Sequence, residues 1–307
     1  MRTLWNPDKA STWDAEHARV GAALQQDWAY GATMKMLGVG VQRVIVEQDG
    51  TPVALAQFIL RFWGSMAAVV LCSRGPVWLA DMDAADKRQA YRAIKQSLPL
   101  GGLKLHVVTP ADLLGEEVGL SPIRRVMTGA ATVMVDLQKP EEALRADMEG
   151  SWRNQLQAAE NADLKVTNMA ANPGAHRWLL DAELKQREAR GLEGLPAQFF
   201  DVYLQARKNA TQTTLGLRVD QGKTPAAGMI FLIHGNVATY QVGWSNEDAR
   251  KQRANNLLLW RGMQALKARG IEWLDLGGIN TQRSAGLARF KMGVGGQVQT
   301  LAGTYLF

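Results

Sequence analysis

Cysteine is nearly absent from this chain of 307 residues. The single cysteine, Cys72, lies in the apolar run 67-AAVVLCS-73. No internal disulfide can therefore form, and no thiolate metal site can be assembled. Because an apolar setting raises the pKa of a thiol, we interpret Cys72 as a core residue rather than a nucleophile.

Long apolar runs and the spacing of metal ligands are lacking as well. The sequence has no run of about 18 uncharged apolar residues, the length that a membrane span needs. The opening MRTLWNPDKASTWDAEH has no apolar signal-peptide segment. The histidines are scattered one per segment, without metal spacing or a Cys/His or Ser/His/Asp constellation: His17, His106, His176 and His234. We expect a globular cytoplasmic enzyme with no metal and no bound cofactor.

The composition allows a substantial core, and the charge is unevenly divided. Hydrophobic residues make up 47% and charged residues 21%, enough for two compact domains. Residues 1–150 carry 16 Lys and Arg against 17 Asp and Glu, whereas residues 151–307 carry 19 against 12. The basic half is typical of a protein that meets a polyanion, but a solvated basic face explains it equally well.

An internal repeat relates the two halves. When 46-VEQDGTPVALAQFILR-61 is laid over 219-VDQGKTPAAGMIFLIH-234, six of sixteen positions are identical. Each segment has a Gly-containing turn followed by Thr-Pro and an apolar run, which predicts a β-hairpin.

The elements around each hairpin also repeat. In both halves, a segment with apolar residues at helical spacing precedes an apolar strand. These segments are 86–98 before 103–108 and 250–269 before 271–278. Further helical patterns lie upstream of the hairpins, at 15–38, 151–162 and 176–191. We predict two tandem α/β modules joined near 137–150, domain 1 at 1–145 and domain 2 at 146–307. The sequence leaves open whether the last strand, within 298–307, crosses to domain 1.

Three segments of the second half resemble the FemABX family: 150-GSWRNQLQAAENADLKV-166, 254-ANNLLLWRGMQALKARGIEWLDLGGI-279 and 287-LARFKMGVGG-296. In the first half, 28–38 and 73–78 also resemble family segments. The resemblance implies an α/β (α+β) fold of two tandem GNAT-like domains, each a mixed central sheet flanked by helices. It implies an aminoacyltransferase that moves an amino acid from aminoacyl-tRNA to an amine of a peptidoglycan precursor, of the lipid II or UDP-MurNAc-peptide type. It also suggests a peripheral contact with the inner membrane surface.

Two alternatives remain open. One is a GNAT-type N-acyltransferase that uses acyl-CoA, such as acetyl-CoA, or an acyl carrier protein, and the other is a non-catalytic tandem-GNAT binding protein. GNAT enzymes hold pyrophosphate on backbone N–H groups of a glycine-containing turn, and the corresponding 250-RKQRANNLL-258 has no glycine. This loss disfavours coenzyme A, although Asn255 could simply cap the following helix.

Lys291 is the leading catalytic candidate. The stretch 293-GVGG-296 lacks the spacing of a P-loop. Phe290-Lys291 matches the family's Phe-Lys motif, whose lysine is implicated in aminoacyl transfer. A fixed ammonium would stabilise the negative charge formed during aminolysis of an ester. From the residues alone, a surface lysine before a bulged hairpin is the favoured interpretation, and the family match reverses that preference.

Other candidates follow from the resemblance. Asp275 is a possible proton acceptor, or a carboxylate that caps a loop at a strand end. Lys35 matches a phosphate-binding lysine of the acceptor site, with Arg190 or Arg187 as its partner. A place on the polar face of a helix is the alternative for both arginines. The donor-site candidates are Arg250, Arg253, Asn255, Gly295 and Gly296, within a basic group that also includes Lys251, Arg261, Lys267 and Arg269.

Overall fold

The computed structural model describes residues 1–64, 67–192, 194–196, 198–207 and 209–306, and only the backbone of Pro173. The chain divides into two compact units. Unit 1 comprises Met1–Ala131 and Gln299–Phe307, and unit 2 comprises Thr132–Val298. The assignment of residues 1–145 to the acceptor and 146–307 to the donor remains a prediction.

Unit 1 is a mixed sheet with three helices. Its strands are β1 (Arg2–Trp5), β2 (Gly40–Gln48), β3 (Thr51–Trp63), β4 (Ala67–Ser73), β5 (Val77–Trp78), β6 (Leu103–Thr109), β7 (Arg125–Met127) and β15 (Thr304–Leu306). Its helices are α1 (Ala10–Arg19), α2 (Trp28–Met36) and α3 (Ala84–Ser97). The strand order is β1-β2-β3-β4-β6-β15-β7, with β5 paired to β3. The end of the chain thus supplies a strand of this sheet.

Unit 2 is a seven-stranded sheet flanked by helices. Its strands are β8 (Ala131–Asp136), β9 (Val166–Met169), β10 (Thr214–Gln221), β11 (Thr224–His234), β12 (Val237–Ser245), β13 (Trp273–Ile279) and β14 (Gln297–Thr300), in the order β14-β8-β13-β12-β11-β10-β9. Its helices are α4 (Glu141–Asp147), α5 (Gly150–Glu160), α6 (Pro173–Ala189), α7 (Phe199–Ala206), α8 (Ala210–Thr213), α9 (Glu247–Lys251), α10 (Ala254–Ala268) and α11 (Ala285–Met292). The predicted helix over 250–269 is therefore two helices, separated at Gln252 and Arg253.

The two hairpins form as the repeat predicted. Asp49 and Gly50 both have positive φ, 52° and 81°, as a two-residue turn between twisted strands requires. A bulge lies between Val46 and Glu47 in the first hairpin and between Val219 and Asp220 in the second. The bulges occupy equivalent positions of the repeat, so the similarity extends to backbone irregularities.

The parallel strand pairs of the two units differ. In unit 1, β4 and β6 pair along their whole length, from Ala67 with Leu103 to Ser73 with Thr109. In the described part of unit 2, β12 and β13 pair only from Val237–Trp273 to Thr239–Asp275, although both strands continue. A gap therefore opens between β12 and β13 beyond Thr239 and Asp275.

Candidate active site

Lys291 occupies the gap between β12 and β13. It is carried by α11 and is 6% exposed. Its Nζ donates a hydrogen bond to Gly278 O of β13 at 2.9 Å and lies 5.5 Å from the ring centre of Tyr240 of β12. The surface-lysine alternative is wrong, because α11 turns the side chain inward to a point where both strands contact it.

Burial and a nearby carboxylate shift the pKa of Lys291 in opposite directions. Burial lowers the pKa of Lys291 from 10.5 to about 8, and the charge of Asp275 partly offsets this. Asp275 is itself buried and accepts hydrogen bonds from Gly277 N at 2.8 Å and from Thr132 Oγ1. Lys291 is therefore mainly an ammonium at neutral pH, close to the point at which it loses its proton.

Asp275 lies at the vertex of the gap rather than at a strand end, as the last residue of β13 that pairs with β12. Its two hydrogen bonds fix the orientation of the carboxylate. They also connect it to the turn-like backbone at Gly277, whose φ is 72°. Asp275 is thus placed to act on Lys291 through its charge.

Phe290 anchors α11 to the core of unit 2. Its ring packs against Trp152 with ring centres 5.9 Å apart, and Trp152 Nε1 donates to Phe290 O at 3.0 Å. Immediately after α11, Glu149 N donates to Gly293 O at 3.0 Å. These contacts hold the helix that presents Lys291, so Phe290 supports the site by packing.

Gly295 and Gly296 approach the chain's own backbone. A Cβ on Gly295 would lie 2.6 Å from Asp147 C, and one on Gly296 would lie 2.6 Å from Val133 Cγ1. Both positions thus need glycine for packing against unit 2 itself. Contact of these glycines with a donor stays a prediction.

The turn before α10 differs from a phosphate-binding glycine turn. Arg253 is the N-cap and has φ of 60° in the left-handed region, which favours glycine. Asn255 does not cap the helix, contrary to the sequence-based interpretation; its Nδ2 donates to Ser245 Oγ at the end of β12, at 2.9 Å. Side chains therefore occupy a turn that glycines would leave open.

Several of the predicted tRNA-binding residues already have protein partners. Lys251 pairs with Glu247 and Asp248, Lys267 donates to Leu137 O and Gln138 O, and Arg269 donates to Thr211 O and Thr214 O. Arg250 and Arg253 are exposed, although Arg250 Nη2 also donates to Ser245 O at 3.1 Å. These two are the better placed to meet a ligand near the start of α10.

The acceptor candidates lie in different units. Lys35 is exposed and, with Arg61, lines a cleft of about 490 Å³ in unit 1. In unit 2, Arg187 is half-buried, donates to Leu195 O at 3.2 Å and lies 3.8 Å from Glu183, whereas Arg190 at the end of α6 is exposed. Arg61 was not predicted, because only the strand pairing brings it near Lys35.

The remaining titratable candidates are structural. All four histidines and Cys72 are buried, and burial raises the pKa of the Cys72 thiol. Within the described ranges, no group of three His, Cys, Asp or Glu side chains could hold a metal ion. Thr132 and Tyr240, which complete the site around Lys291, gave no sequence signal because their contacts are far apart along the chain.

Comparisons with known proteins agree with this fold. Residues 147–292 match the family model described as an acetyltransferase (GNAT) domain, which spans α5 to α11 and includes Lys291. The comparison with curated protein sequences gave no match.

Similar solved structures cover the whole chain. The crystal structure of FemX has a TM-score of 0.82 at 13% identity, over 100% of this chain and 97% of FemX. A tandem GNAT protein from the clavulanic acid biosynthesis pathway has a TM-score of 0.53 at 11% identity, over 100% and 98%. The C-terminal domain of a putative lysylphosphatidylglycerol synthetase from Agrobacterium fabrum has a TM-score of 0.54 at 13% identity, over 97% and 92%.

No helix in the described part of the chain is both long and apolar enough to span a membrane. The mixed α/β architecture and the match to the GNAT domain support an acyltransferase. The chain has the FemX-like tandem GNAT fold that its resemblance to the FemABX family implied.

Proposed function

We propose that this protein is an aminoacyltransferase that transfers an amino acid from aminoacyl-tRNA to an amine of a peptidoglycan precursor, on the cytoplasmic side of the membrane. The observation that carries the proposal is the buried Lys291 ammonium in the gap between β12 and β13. A cation in a water-poor cleft stabilises developing negative charge more strongly than one in water.

The reaction needs little beyond positioning and charge stabilisation. The acceptor amine attacks the ester carbonyl carbon, the new C–N bond forms, and the bond from carbon to the ribose oxygen breaks. Negative charge develops first on the carbonyl oxygen and then on the ribose oxygen, which ends protonated as the amine loses a proton. Among the described residues, Gly278 O is the hydrogen-bond acceptor of Lys291, so two of its three N–H bonds can face these oxygens.

Asp275 supports the charge of Lys291 in this scheme. Its carboxylate raises the pKa of the lysine against the effect of burial. Since Asp275 accepts hydrogen bonds from Thr132 and Gly277, its orientation is already fixed before substrate arrives. We assign it a positioning role and leave the proton of the amine to solvent or substrate.

The turn before α10 favours a tRNA donor over coenzyme A. Backbone binding of a pyrophosphate requires close approach of the ligand to the turn, which glycine allows. This turn has Arg253 and Asn255 instead, and Asn255 bonds to Ser245. Arg250 and Arg253 instead suit contacts with the phosphates of an acceptor stem. In unit 1, Lys35 and Arg61 line one cleft and form a second group of cations, suited to the diphosphate of the acceptor.

The deciding experiment offers the wild-type protein a mixture of charged tRNAs and cell-wall precursors and measures product masses. A precursor heavier by one amino acid residue supports the proposal, and Lys291→Met should lower the rate by about 10²–10³. If any substantial transfer survives this substitution, the role assigned to Lys291 is wrong. Transfer only from acetyl-CoA, with heat of binding in calorimetry, would identify a coenzyme A enzyme instead.

A further inference from the structure

An apolar sheet face is exposed at one end of unit 1. Trp63 of β3 is 85% exposed, and on β6 Leu103 is 75% and Leu105 49% exposed. Strand pairing places Trp63, Ala67 and Leu103 in one row across the sheet. Because cross-strand partners point to the same side, these side chains form one continuous patch.

A second row extends this patch and adds a charge. Arg61 pairs with Val69, which pairs with Leu105. This row lies two residues along each strand from the first and so projects on the same face. We name the five residues Arg61, Trp63, Val69, Leu103 and Leu105 the β3–β6 face.

The repeat shows that this exposure is particular to unit 1. His234, the last residue of β11, corresponds to Arg61, so β3 continues for Phe62 and Trp63 beyond the equivalent point. The corresponding end of the second hairpin is closed, with His234 1% and Val237 2% exposed. Exposed apolar patches of this kind mark interaction sites.

The charges around the face indicate what binds there. Strands β3, β4 and β6 contain no Asp or Glu. Arg61 is the charged residue of the face, and the exposed Lys35 lines a cleft with it. An apolar surface with an exposed tryptophan and an arginine, and with no carboxylate on its three strands, matches the interface of an anionic bilayer.

We propose that the β3–β6 face docks this protein on an anionic membrane, with Trp63 and Leu103 inserted at the headgroup boundary. The proposal does not depend on acyl transfer, because it concerns binding alone. If the proposed function also holds, docking favours an acceptor carried by a lipid over a water-soluble nucleotide-linked one.

Cosedimentation of the full chain with vesicles tests this proposal. The probes are vesicles of phosphatidylglycerol mixed with phosphatidylcholine, and vesicles of phosphatidylcholine alone, each at low and moderate salt. Wild type should bind the anionic vesicles, less at higher salt, and the double variant Trp63→Ser with Leu103→Ser should bind roughly tenfold more weakly for each lost side chain. Leu114→Ser is the matched control, since Leu114 is 60% exposed in unit 1 but lies outside these strands.

Three outcomes would overturn the proposal. Wild type could stay unbound at low salt, the double variant could bind as tightly as the control, or sedimentation velocity could show a dimer that the double variant dissolves. The last result would assign the face to a second copy of the chain. Circular dichroism verifies folding, and Leu103→Ser alone provides a milder variant with a proportionate loss if the double variant misfolds.

Discussion

Lys291 combines a cost in stability with a gain in chemistry. A charged side chain that is 6% exposed is disfavoured by desolvation, which is why its pKa falls to about 8. Asp275 reduces that cost, and Gly278 O accepts one of the ammonium hydrogens. The arrangement has the character of a functional site, where a strained or costly group is retained because activity needs it.

Replacing Lys291 by methionine should therefore stabilise the fold at neutral pH. The shift from 10.5 to about 8 corresponds to a penalty for the buried charge, and we expect a gain of about 1–3 kcal/mol in the free energy of unfolding at pH 7. Urea denaturation of the two proteins measures the difference.

The pH dependence of this gain provides a control. Because the folded-state pKa lies below the unfolded value, the unfolded chain binds more protons between pH 8 and 10.5, and wild-type stability rises with pH there. The advantage of the methionine variant should shrink across that window. Lys223→Met, at an exposed turn, should be nearly neutral, and a Lys291→Met variant less stable than wild type at pH 7 would contradict the argument.

The rate of transfer should depend on the charge of Lys291. If the ammonium is the active form, the wild-type rate divided by the Lys291→Arg rate should fall as pH rises through about 8. Arginine stays charged through this pH range, so the variant does not titrate at position 291. The acceptor amine titrates equally in both reactions, and the ratio therefore cancels its contribution. A ratio that rises through the same pH would show that neutral Lys291 acts as a base.

Substitution of Asp275 by asparagine tests the same pH dependence independently. The carboxylate raises the pKa of Lys291, so its removal should move the falling limb to lower pH while activity at lower pH persists. Asparagine can still accept hydrogen bonds from Thr132 and Gly277. Loss of activity at every pH would instead identify Asp275 as an essential proton acceptor.

At the scale of elements, the turn between α9 and α10 has a residue that its backbone does not favour. Arg253 has φ of 60°, a conformation that glycine adopts without strain. The exposed guanidinium therefore occupies a position where glycine would suit the fold better. Retention of arginine is consistent with a ligand contact.

Arg253→Gly should raise stability while it weakens tRNA binding. We expect about 1 kcal/mol of added stability from relief of the left-handed conformation, measured by thermal unfolding. Arg253→Asn removes the same charge but tolerates this φ less well than glycine, so the two variants should bind tRNA equally and differ in stability. Unchanged tRNA affinity in both would remove Arg253 from the donor site.

The sequence predicted elements better than it predicted the site. The hairpins at 46–61 and 219–234 follow from turn residues and alternation, which are local signals, and both form with the same bulge. The burial of Lys291 could not be predicted, because it depends on β12 and β13 separating after Thr239 and Asp275. Helical spacing over 250–269 does not show the break at Gln252 and Arg253, because arginine is a strong helix former and gives no stop signal. Only the comparison of 250–258 with a glycine-containing turn pointed to it.

At the scale of the whole molecule, the two repeated sheets differ in whether their parallel strands separate. The parallel strands β4 and β6 of unit 1 pair from Ala67 to Ser73, so no gap forms between them. In unit 2, the corresponding gap holds Lys291. The chemistry is therefore expected in unit 2 alone, which is also the unit matched by the GNAT domain model.

The distribution of charge follows the same division and gives the last prediction. The basic excess lies in residues 151–307, with 19 Lys and Arg against 12 Asp and Glu. If this half binds tRNA, each phosphate contact releases counterions, and the logarithm of the binding constant should fall steeply with the logarithm of salt concentration.

Arg250→Gln and Arg253→Asn should each reduce the slope by roughly one, as measured by filter binding across a salt series. Lys223→Gln removes an exposed charge of the same half and should leave the slope unchanged. If the wild-type affinity does not vary with salt, the basic residues of this half do not bind tRNA and form a solvated surface.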